Sequence, residues 1–219
     1  AKGGKAIVDD ISFQIRAGEI VGIAGVEGNG QAEILDALMG IESATGRVQF
    51  KDEDITNKST RHRRELGIGF IPEDRHRQAL MLEAPLWENR MLGHQTRSPN
   101  AKGIWLTPRS AKADTKRIVE EYDVRTPSID VLASALSGGN QQKLIVGREM
   151  SCEPKLLIAA HPTRGVDVGA QAAIWDHIRN ARQSGLAVLL VSADLDELIG
   201  LSDNIKVLLR GKFVADADP

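Results

Sequence analysis

At residues 136–143 the chain reads Leu136-Ser137-Gly138-Gly139-Asn140-Gln141-Gln142-Lys143, and this stretch says most about it. Ser137 supplies a hydroxyl, Gly138 and Gly139 supply bare backbone N–H groups, and the apolar run 144–146 predicts that a helix begins here. Backbone donors at a helix N-terminus carry the positive end of the helix dipole and therefore bind anions. Ser-Gly-Gly is equally typical of a flexible loop, so the neighbouring segments have to decide between the two interpretations.

A glycine-rich stretch upstream has the spacing of a phosphate-binding loop. Gly25-Val26-Glu27-Gly28-Asn29-Gly30 follows a strand-like run at 19–24 and precedes a helix-like run at 31–38, which is the context that the G-x-x-x-x-G motif requires. The next two residues should be Lys, which neutralises the outer phosphates, and Ser or Thr, which binds magnesium. They are Gln31 and Ala32 instead, and Glu27 adds a negative charge at the lip of the loop. The amide cradle is kept, whereas the cation and the metal ligand are lost.

Two further apolar runs predict buried strands. The first opens the segment 155–167 and leads into Ala159-Ala160-His161-Pro162. The second is Val188–Val191, which ends at Ser192-Ala193-Asp194. Continuous apolar runs of this kind are typical of parallel strands that are covered on both faces.

These four segments, in this order, resemble the nucleotide-binding domain of ATP-binding cassette (ABC) transporters over essentially the whole chain. The stretches 162–169 (PTRGVDVG) and 25–31 (GVEGNGQ) are similar to the second half of the duplicated ATP-binding subunit in sugar and nucleoside importers. The Ala-Ala pair before His161, together with 72–77 (PEDRHR), is most similar to the nucleoside branch.

The resemblance also shows which catalytic groups are missing. The strand that ends at Ala160 should carry a magnesium-holding Asp followed by a water-polarising Glu, but Ala160 and His161 stand there. A His that senses the terminal phosphate is expected at Ala193. An imidazole titrates near neutrality, yet His161 has no carboxylate beside it to hold a metal. No intact catalytic residue and no metal site are therefore predicted, the degenerate positions being Gln31, Ala32, Ala160, His161 and Ala193.

The remaining site residues follow from the same resemblance. The predicted nucleotide-binding set is Gly25, Glu27, Gly28, Asn29, Gly30, Gln31 and Ala32. The predicted signature and dimer-interface set is Ser137, Gly138, Gly139, Asn140, Gln141 and Asp167. Glu73 occupies the coupling loop, where the family has a Gln that contacts magnesium and links the nucleotide to the membrane partner; an ordinary surface charge is the alternative. Arg75, His76 and Arg77 are expected to form a solvated cluster, or to pair with Glu73 or with a loop of the membrane domain. The adenine-stacking aromatic that the family carries near the start is absent from Ala1–Lys5.

Composition narrows the class of protein further. The chain has 219 residues, 42% of them hydrophobic, which is enough for one sizeable α/β domain. A net charge of −2 gives no electrostatic footprint for nucleic acid. The single cysteine, Cys152, predicts a reducing compartment, and no apolar stretch is long enough to span a bilayer.

The resemblance implies an α/β P-loop NTPase fold of the ABC ATPase type, with a mainly parallel sheet, an antiparallel β edge and an inserted α-helical subdomain. Residues 1–219 are expected to form one such domain, with 1–79 and 136–219 as the α/β core and about 80–135 as the helical subdomain. Local patterns predict strands at 7–15, 19–24, 46–50, 66–71, 186–191 and 205–209, and helices at 31–38, 86–92, 108–122 and 168–182. Thr107 before Pro108 predicts a capped helix start.

The predicted function is that of an ATP-binding domain in an importer of nucleosides or related sugars. Its own site should bind ATP weakly and magnesium poorly, while its signature completes the site of the first ATP-binding domain of the same subunit. Other expected partners are the transmembrane permease subunits and, indirectly, a solute-binding protein, but no nucleic acid. The chain is expected to be a fragment of a longer two-domain subunit, cytoplasmic and peripheral on the inner face of the plasma membrane.

Two alternatives remain open at this point. The first is an independently active ATPase, which would need substitutes for the missing Lys and carboxylates. The second is a regulatory or docking module that binds no nucleotide, against which the retained glycine loop argues. Chromosome-maintenance ATPases share a similar signature but carry an intact phosphate loop and long heptads, and this chain has neither.

Overall fold

The structure, a computed structural model, describes residues 7–96, 100–102 and 105–219. Its strands are β1 (Ile20–Ala24), β2 (Gln49–Phe50), β3 (Glu53–Asp54), β4 (Ile68–Ile71), β5 (Ala101–Lys102), β6 (Trp105–Leu106), β7 (Leu156–Ala160), β8 (Ala187–Ser192), β9 (Asn204–Leu209) and β10 (Lys212–Ala217). Its helices are α1 (Gln31–Met39), α2 (Thr60–Glu65), α3 (Arg75–Gln78), α4 (Leu86–Met91), α5 (Pro108–Glu121), α6 (Gly138–Met150), α7 (Val168–Gln183) and α8 (Leu195–Leu201).

The chain divides into two compact units. The first consists of the described residues within Ala1–Phe70, Lys155–His161 and Arg179–Pro219, and the second of those within Ile71–Pro154 and Pro162–Ile178. No helix in the described ranges is long and apolar enough to cross a membrane.

The first unit is organised by a six-stranded sheet with the order β10-β9-β1-β8-β7-β4. The pairs β1–β8, β1–β9 and β7–β8 are parallel, and β10 runs antiparallel to β9 at the edge. Apolar residues from β1, β7 and β8 form the core together with α1, including Ile23, Ile34, Ile158 and Leu189. The predicted mainly parallel sheet with an antiparallel β edge is confirmed.

The predicted strand at 7–15 is wrong, because no strand is formed there. Ile11, Phe13 and Ile15 are partly buried and alternate with exposed neighbours, and the Phe13 ring contacts Phe213 edge-on at 5.7 Å. The alternation therefore reports burial of one side of an extended segment, which does not require a hydrogen-bonded neighbour. The predicted strand at 46–50 is shortened to Gln49–Phe50.

The predicted helices are observed as α1, α4, α5 and α7, and each differs from its prediction by one residue at its C-terminal end. Thr107 is the N-cap of α5 with Pro108 in the first turn, but its side chain makes no capping hydrogen bond. Ala1–Lys5, where the adenine-stacking aromatic is absent from the sequence, lies outside the described residues.

The second unit is built around α6, whose residues Gln141–Glu149 are all buried. Part of this burial comes from the close approach of α5 and the following Tyr122 to α6. A Cβ at Gly147 would lie 2.6 Å from Ile118 Cγ2 and 2.8 Å from Tyr122 Cδ2, so a side chain here would push the two helices apart. The packing holds the N-terminus of α6, which is the Ser137–Gly139 segment, on a rigid element.

Candidate functional site

The phosphate loop joins β1 to α1 in the first unit, as predicted. Gly28 and Gly30 have φ angles of 88° and 111°, a left-handed backbone that glycine adopts without the penalty paid by other residues. Gly30 is the N-cap of α1 and has no side chain, so no side-chain acceptor caps the first backbone N–H groups of the helix. The loop keeps the local shape of an anion cradle.

The Gln31 side chain folds back into this loop and closes it with hydrogen bonds. Gln31 is 8% exposed. Its Oε1 accepts from the Asn29 backbone N at 3.1 Å, and its Nε2 donates to the Val26 carbonyl at 3.0 Å. The Asn29 N–H and the Gln31 Nε2 group, which could otherwise donate to a phosphate, are thus already paired within the protein.

Asn29 holds the same loop from the other side. Its Nδ2 donates to Val26 O at 2.7 Å, its Oδ1 accepts from Arg210 N at 2.8 Å, and its backbone O accepts from Gly211 N at 2.8 Å. Glu27 and Gly28 are exposed at the tip, and Ala32 is exposed in the first turn of α1. Without a hydroxyl, Ala32 offers no ligand for a magnesium ion.

The degenerate positions at the strand ends contact one another. Ala160 is buried in the core, and His161 follows with a φ of 48°. The His161 backbone N donates to Val191 O at 2.8 Å, and its Nδ1 accepts from the Ala193 N at 3.4 Å. His161 is therefore engaged with the position from which the phosphate-sensing His is missing. Among the residues that the structure describes, no three His, Cys, Asp or Glu side chains form a group able to hold a metal ion.

The signature lies in the second unit and starts α6, as the apolar run predicted. Ser137 is the N-cap, and its Oγ accepts from Asn140 N at 3.4 Å and from Asn140 Nδ2 at 3.0 Å. Both contacts use the oxygen as an acceptor, so within the described residues the hydroxyl hydrogen remains a donor for an anion. Asn140 Oδ1 in turn accepts from Arg125 N at 2.9 Å, which fixes the amide.

The two signature glycines allow close approaches that a side chain would block. A Cβ at Gly138 would lie 2.6 Å from Arg75 Nη2, and one at Gly139 would lie 3.3 Å from Gly165 O. The Arg75 guanidinium thus lies at the first turn of α6. It contacts Gln141 Oε1 at 3.4 Å and Arg164 O at 3.3 Å. Both acceptors are neutral, so the positive charge of Arg75 adds to that of the helix N-terminus.

The coupling-loop residue Glu73 pairs with Arg164 at 3.5 Å. Of the neighbouring basic residues, His76 contacts Gln141 Oε1 at 2.9 Å rather than Glu73. The buried Gln141 also donates to Ala133 O at 3.0 Å. The sequence patterns did not place Arg75 and Arg164 near the signature. The only indication of this contact was that each arginine lies close to a motif, Pro72-Glu73 or Pro162-Thr163.

Asp167 begins α7 as its cap. Its Oδ1 accepts from Ala170 N at 2.9 Å, and this bond, with the charges of Lys143 and Arg125, lowers the pKa of the carboxyl below its ordinary value of 3.8. A cavity of about 220 Å³ lies beside it, lined among others by Asp123, Lys143 and His177. Lys143 is buried and pairs with Asp123 at 2.9 Å, a contact that no motif indicated.

Comparisons with known proteins agree on one family. The profile described as "ABC transporter" matches residues 8–164. The chain is 44% identical to the guanosine import ATP-binding protein NupO of Bacillus subtilis over 97% of its own length and 42% of the relative's. It is 42% identical to the nucleoside import ATP-binding protein NupA of Lactococcus lactis over 99% of its own length and 43% of the relative's. It therefore spans less than half of these proteins.

Solved structures show the same fold at low identity. The dimeric structure of MJ0796, a bacterial ABC transporter cassette, superimposes with a TM-score of 0.84 at 18% identity, covering 100% of this chain and 94% of that one. A nucleotide-free ATP-binding cassette from an ABC transporter gives a TM-score of 0.81 at 24% identity, covering 99% and 87%. The predicted fold class is confirmed.

Proposed function

Because this chain belongs to the ABC transporter family, we propose that it is the second nucleotide-binding half of the ATP-binding subunit of a nucleoside or sugar importer. Residues 1–219 form one nucleotide-binding domain in this proposal, with about 80–135 as its helical insertion. The share of the relatives that the chain covers, 42% and 43%, agrees with one half of a duplicated subunit. The nucleoside preference follows the names of those two relatives.

One contrast carries the proposal: the phosphate loop is closed by its own Gln31, whereas the signature presents open donors. In this family two domains close head to tail, so each ATP lies between one domain's phosphate loop and the other's signature. The Ser137 hydroxyl and the amides of Gly138 and Gly139 would bind the terminal phosphate of an ATP held by the first half. The Lys and the carboxylates needed for hydrolysis would come from that half.

At the chain's own loop, the residues do not fit a magnesium ion. Ala32 lacks a hydroxyl, and Ala160 lacks a carboxylate, so the two ligands expected there are both absent. A phosphate would also have to displace Gln31 from the Asn29 amide, which is 3.1 Å away. This supports weak, non-hydrolytic binding of ATP at this loop.

The partners follow from the same arrangement. The first ATP-binding domain completes the dimer, and the loop around Glu73 docks on a transmembrane permease subunit. A solute-binding protein takes part indirectly, and nucleic acid has no role. The domain would work at the inner face of the plasma membrane.

The decisive experiment is transport by the whole assembly carrying Ser137→Arg. The bulky side chain would fill the space where the phosphate meets the α6 amides, so transport and ATPase activity should be lost. Ser134→Arg is the matched control, because Ser134 is also exposed and lies three residues earlier, and it should leave transport intact. Gly139→Asp should also abolish transport through like-charge repulsion. Full transport by the Ser137→Arg assembly would show that the signature is only a structural turn.

A second candidate, a docking module that binds no nucleotide, is favoured by the closure of the loop by Gln31. The Ser137→Arg experiment on the whole assembly distinguishes a docking module from a composite ATP site. A docking module would tolerate Ser137→Arg, while loss of ATPase activity in that variant requires a nucleotide at the signature.

A further inference from the structure

A polar cluster in the second unit takes no part in the nucleotide motifs. It consists of Cys152, His94, Glu149 and Arg90, and we refer to it as the Cys152 cluster. Cys152 Sγ lies 3.3 Å from His94 Nδ1, and His94 Nε2 lies 3.6 Å from Glu149 Oε2. Arg90 Nη2 lies 3.6 Å from the same sulfur. The last three side chains are at most 3% exposed, whereas Cys152 is partly exposed.

The surroundings of the sulfur favour a thiolate. Burial by itself raises the pKa of the Cys152 thiol, but the hydrogen bond from His94 and the charges of His94 and Arg90 outweigh it and leave the pKa below its ordinary value of 9.0. Burial likewise lowers the pKa of His94, but its bonds to Cys152 and Glu149 outweigh this and raise it above 6.5. Both shifts bring the pKa values of the thiol and the imidazole closer together, which favours the thiolate–imidazolium pair relative to two isolated side chains.

The charged residues around Cys152 and His94 also form ion pairs with other side chains. Glu149 Oε1 accepts from Arg148 at 2.8 Å, and Asp114 accepts from Arg90 Nε at 2.6 Å. Each carboxylate is therefore partly neutralised by an arginine. This arrangement leaves His94 as the proton holder next to the sulfur.

One donor of the Arg90 guanidinium has no partner among the described residues. Arg90 is buried, with Nε bonded to Asp114 and Nη2 directed at Cys152. Its Nη1 is buried without a hydrogen-bond partner in the part of the chain that the structure describes. An unpaired buried guanidinium donor is costly, and an oxygen atom attached to the sulfur would supply an acceptor close to it.

We propose that Cys152 is a modification site that reacts with hydroperoxides to give a sulfenic acid. The thiolate attacks one peroxide oxygen; the S–O bond forms as the O–O bond breaks, and sulfur gives up two electrons. The leaving group, hydroxide from hydrogen peroxide or alkoxide from an organic hydroperoxide, takes the proton of the His94 imidazolium and departs as water or an alcohol. The new oxygen accepts a hydrogen bond from the Arg90 guanidinium. This reaction does not depend on the transport function.

The site lies directly after α6, since Glu149 is in its last turn and Ser151 is its C-cap. Oxidation removes the negative charge from the sulfur and the positive charge from His94. It therefore changes the electrostatics at the C-terminal end of the helix that starts with the signature.

The chain's single cysteine makes the test direct. The ultraviolet absorbance of the thiolate is measured against pH in the folded chain and in the chain unfolded by urea. The rate of peroxide oxidation is measured by trapping the sulfenic acid with dimedone and quantifying the adduct by mass spectrometry. A free thiol is almost entirely protonated at pH 7. The folded chain should therefore react roughly 10-fold faster than the unfolded chain, after each rate is normalised to that of a small free thiol in the same solution.

Three variants identify the groups responsible. His94→Gln should remove the rate advantage, whereas His62→Gln, in the first unit, should keep it. Arg90→Lys should shorten the lifetime of the sulfenic acid more than it slows its formation. If His94→Gln does not fold, the comparison of folded and unfolded wild-type chain still decides. Absence of a thiolate at pH 7, or a folded chain that reacts no faster than the unfolded one, would overturn the proposal and leave a buried structural network.

Discussion

At the scale of single residues, Gln31 closes the loop with hydrogen bonds made by its own side chain. A lysine at this position would extend towards the outer phosphates, but the shorter amide reaches only Asn29 N and Val26 O. Both hydrogen bonds have ordinary lengths and lie in a buried side chain, so they stabilise the closed loop. A neutral group that pairs with the loop itself cannot compensate phosphate charge.

Gln31→Lys should strengthen ATP binding by the isolated chain without restoring hydrolysis. A hydrogen bond to a charged group contributes about 1.5–3 kcal/mol, which corresponds to roughly 10- to 150-fold in affinity. Calorimetry with and without magnesium measures it, and the wild-type signal should change little on adding EDTA. Gln183→Lys, which makes the same change at an exposed position at the end of α7, serves as the control. Submicromolar wild-type affinity that collapses with EDTA would contradict the interpretation of the loop.

At the scale of elements, α6 depends on a glycine for its packing. The space at Gly147 is filled by Ile118 and Tyr122 of the neighbouring segment. Gly169 in α7 has ordinary room, since its nearest contact would be Asp167 Oδ1 at 3.4 Å. The same substitution should therefore have opposite effects in the two helices.

Gly147→Ala should destabilise the chain by about 1–3 kcal/mol because the added methyl group overpacks the α5–α6 contact. Gly169→Ala should be neutral or stabilising by up to about 1 kcal/mol, since alanine is the better helix former. Urea denaturation of both variants gives the two free energies of unfolding. Equal effects would show that α5 and α6 are not closely packed in solution.

The start of α7 should respond to acid through Asp167. Its pKa is lowered in the folded chain, chiefly by the bond from Ala170 N, so the folded state binds fewer protons than the unfolded state in this range. The stabilisation is fully present above the ordinary value of 3.8 and is lost as the pH falls through the folded value. The difference in urea midpoint between wild type and Asp167→Asn should therefore shrink from pH 5 towards pH 2. Ser134→Ala, at an exposed position without an ionisable side chain, should show no such trend.

At the scale of the whole molecule, the proposed function assigns to this chain one half of the chemistry that ATP hydrolysis requires. The first unit holds the loop and the substituted strand ends, and the second holds the signature, Asp167 and Glu73. The charge, the metal ligands and the water-activating group are replaced together at five positions. Restoring any one of them leaves the others missing.

The isolated chain should therefore hydrolyse ATP no faster than a blank without protein, whether magnesium is present or removed. Phosphate release by the purified chain tests this, with the two-domain subunit as the positive control. Magnesium-dependent turnover that disappears in Gly30→Val, a change in the chain's own loop, would establish an independent ATPase. It would also refute the composite-site proposal.

The fold was largely predictable because its signals are local. Each apolar run and each glycine spacing is contained in about ten residues, and the structure places β1, β7, β8 and α1 where those patterns indicated. The segment 7–15 was mispredicted because alternation of apolar and polar residues shows that one side is buried, but does not show that a neighbouring strand is available for hydrogen bonding. The contacts around the signature were not predictable, because Arg75 and Gln141 are separated by 66 positions.

The sequence alone was enough to indicate the family and the main alternation of strands and helices, and it predicts the loss of catalytic groups at Gln31, Ala32, Ala160, His161 and Ala193. Only the tertiary structure decided what the replacements do: Gln31 closes the loop, His161 contacts Ala193, and Arg75 lies at the start of α6. It also brought Cys152 to His94, 58 positions away. Residue identity predicts the loss of a reaction when a group that the family uses is missing. Which groups meet instead depends on how distant segments pack, because hydrogen bonds and charges act over a few ångströms in space and not along the chain.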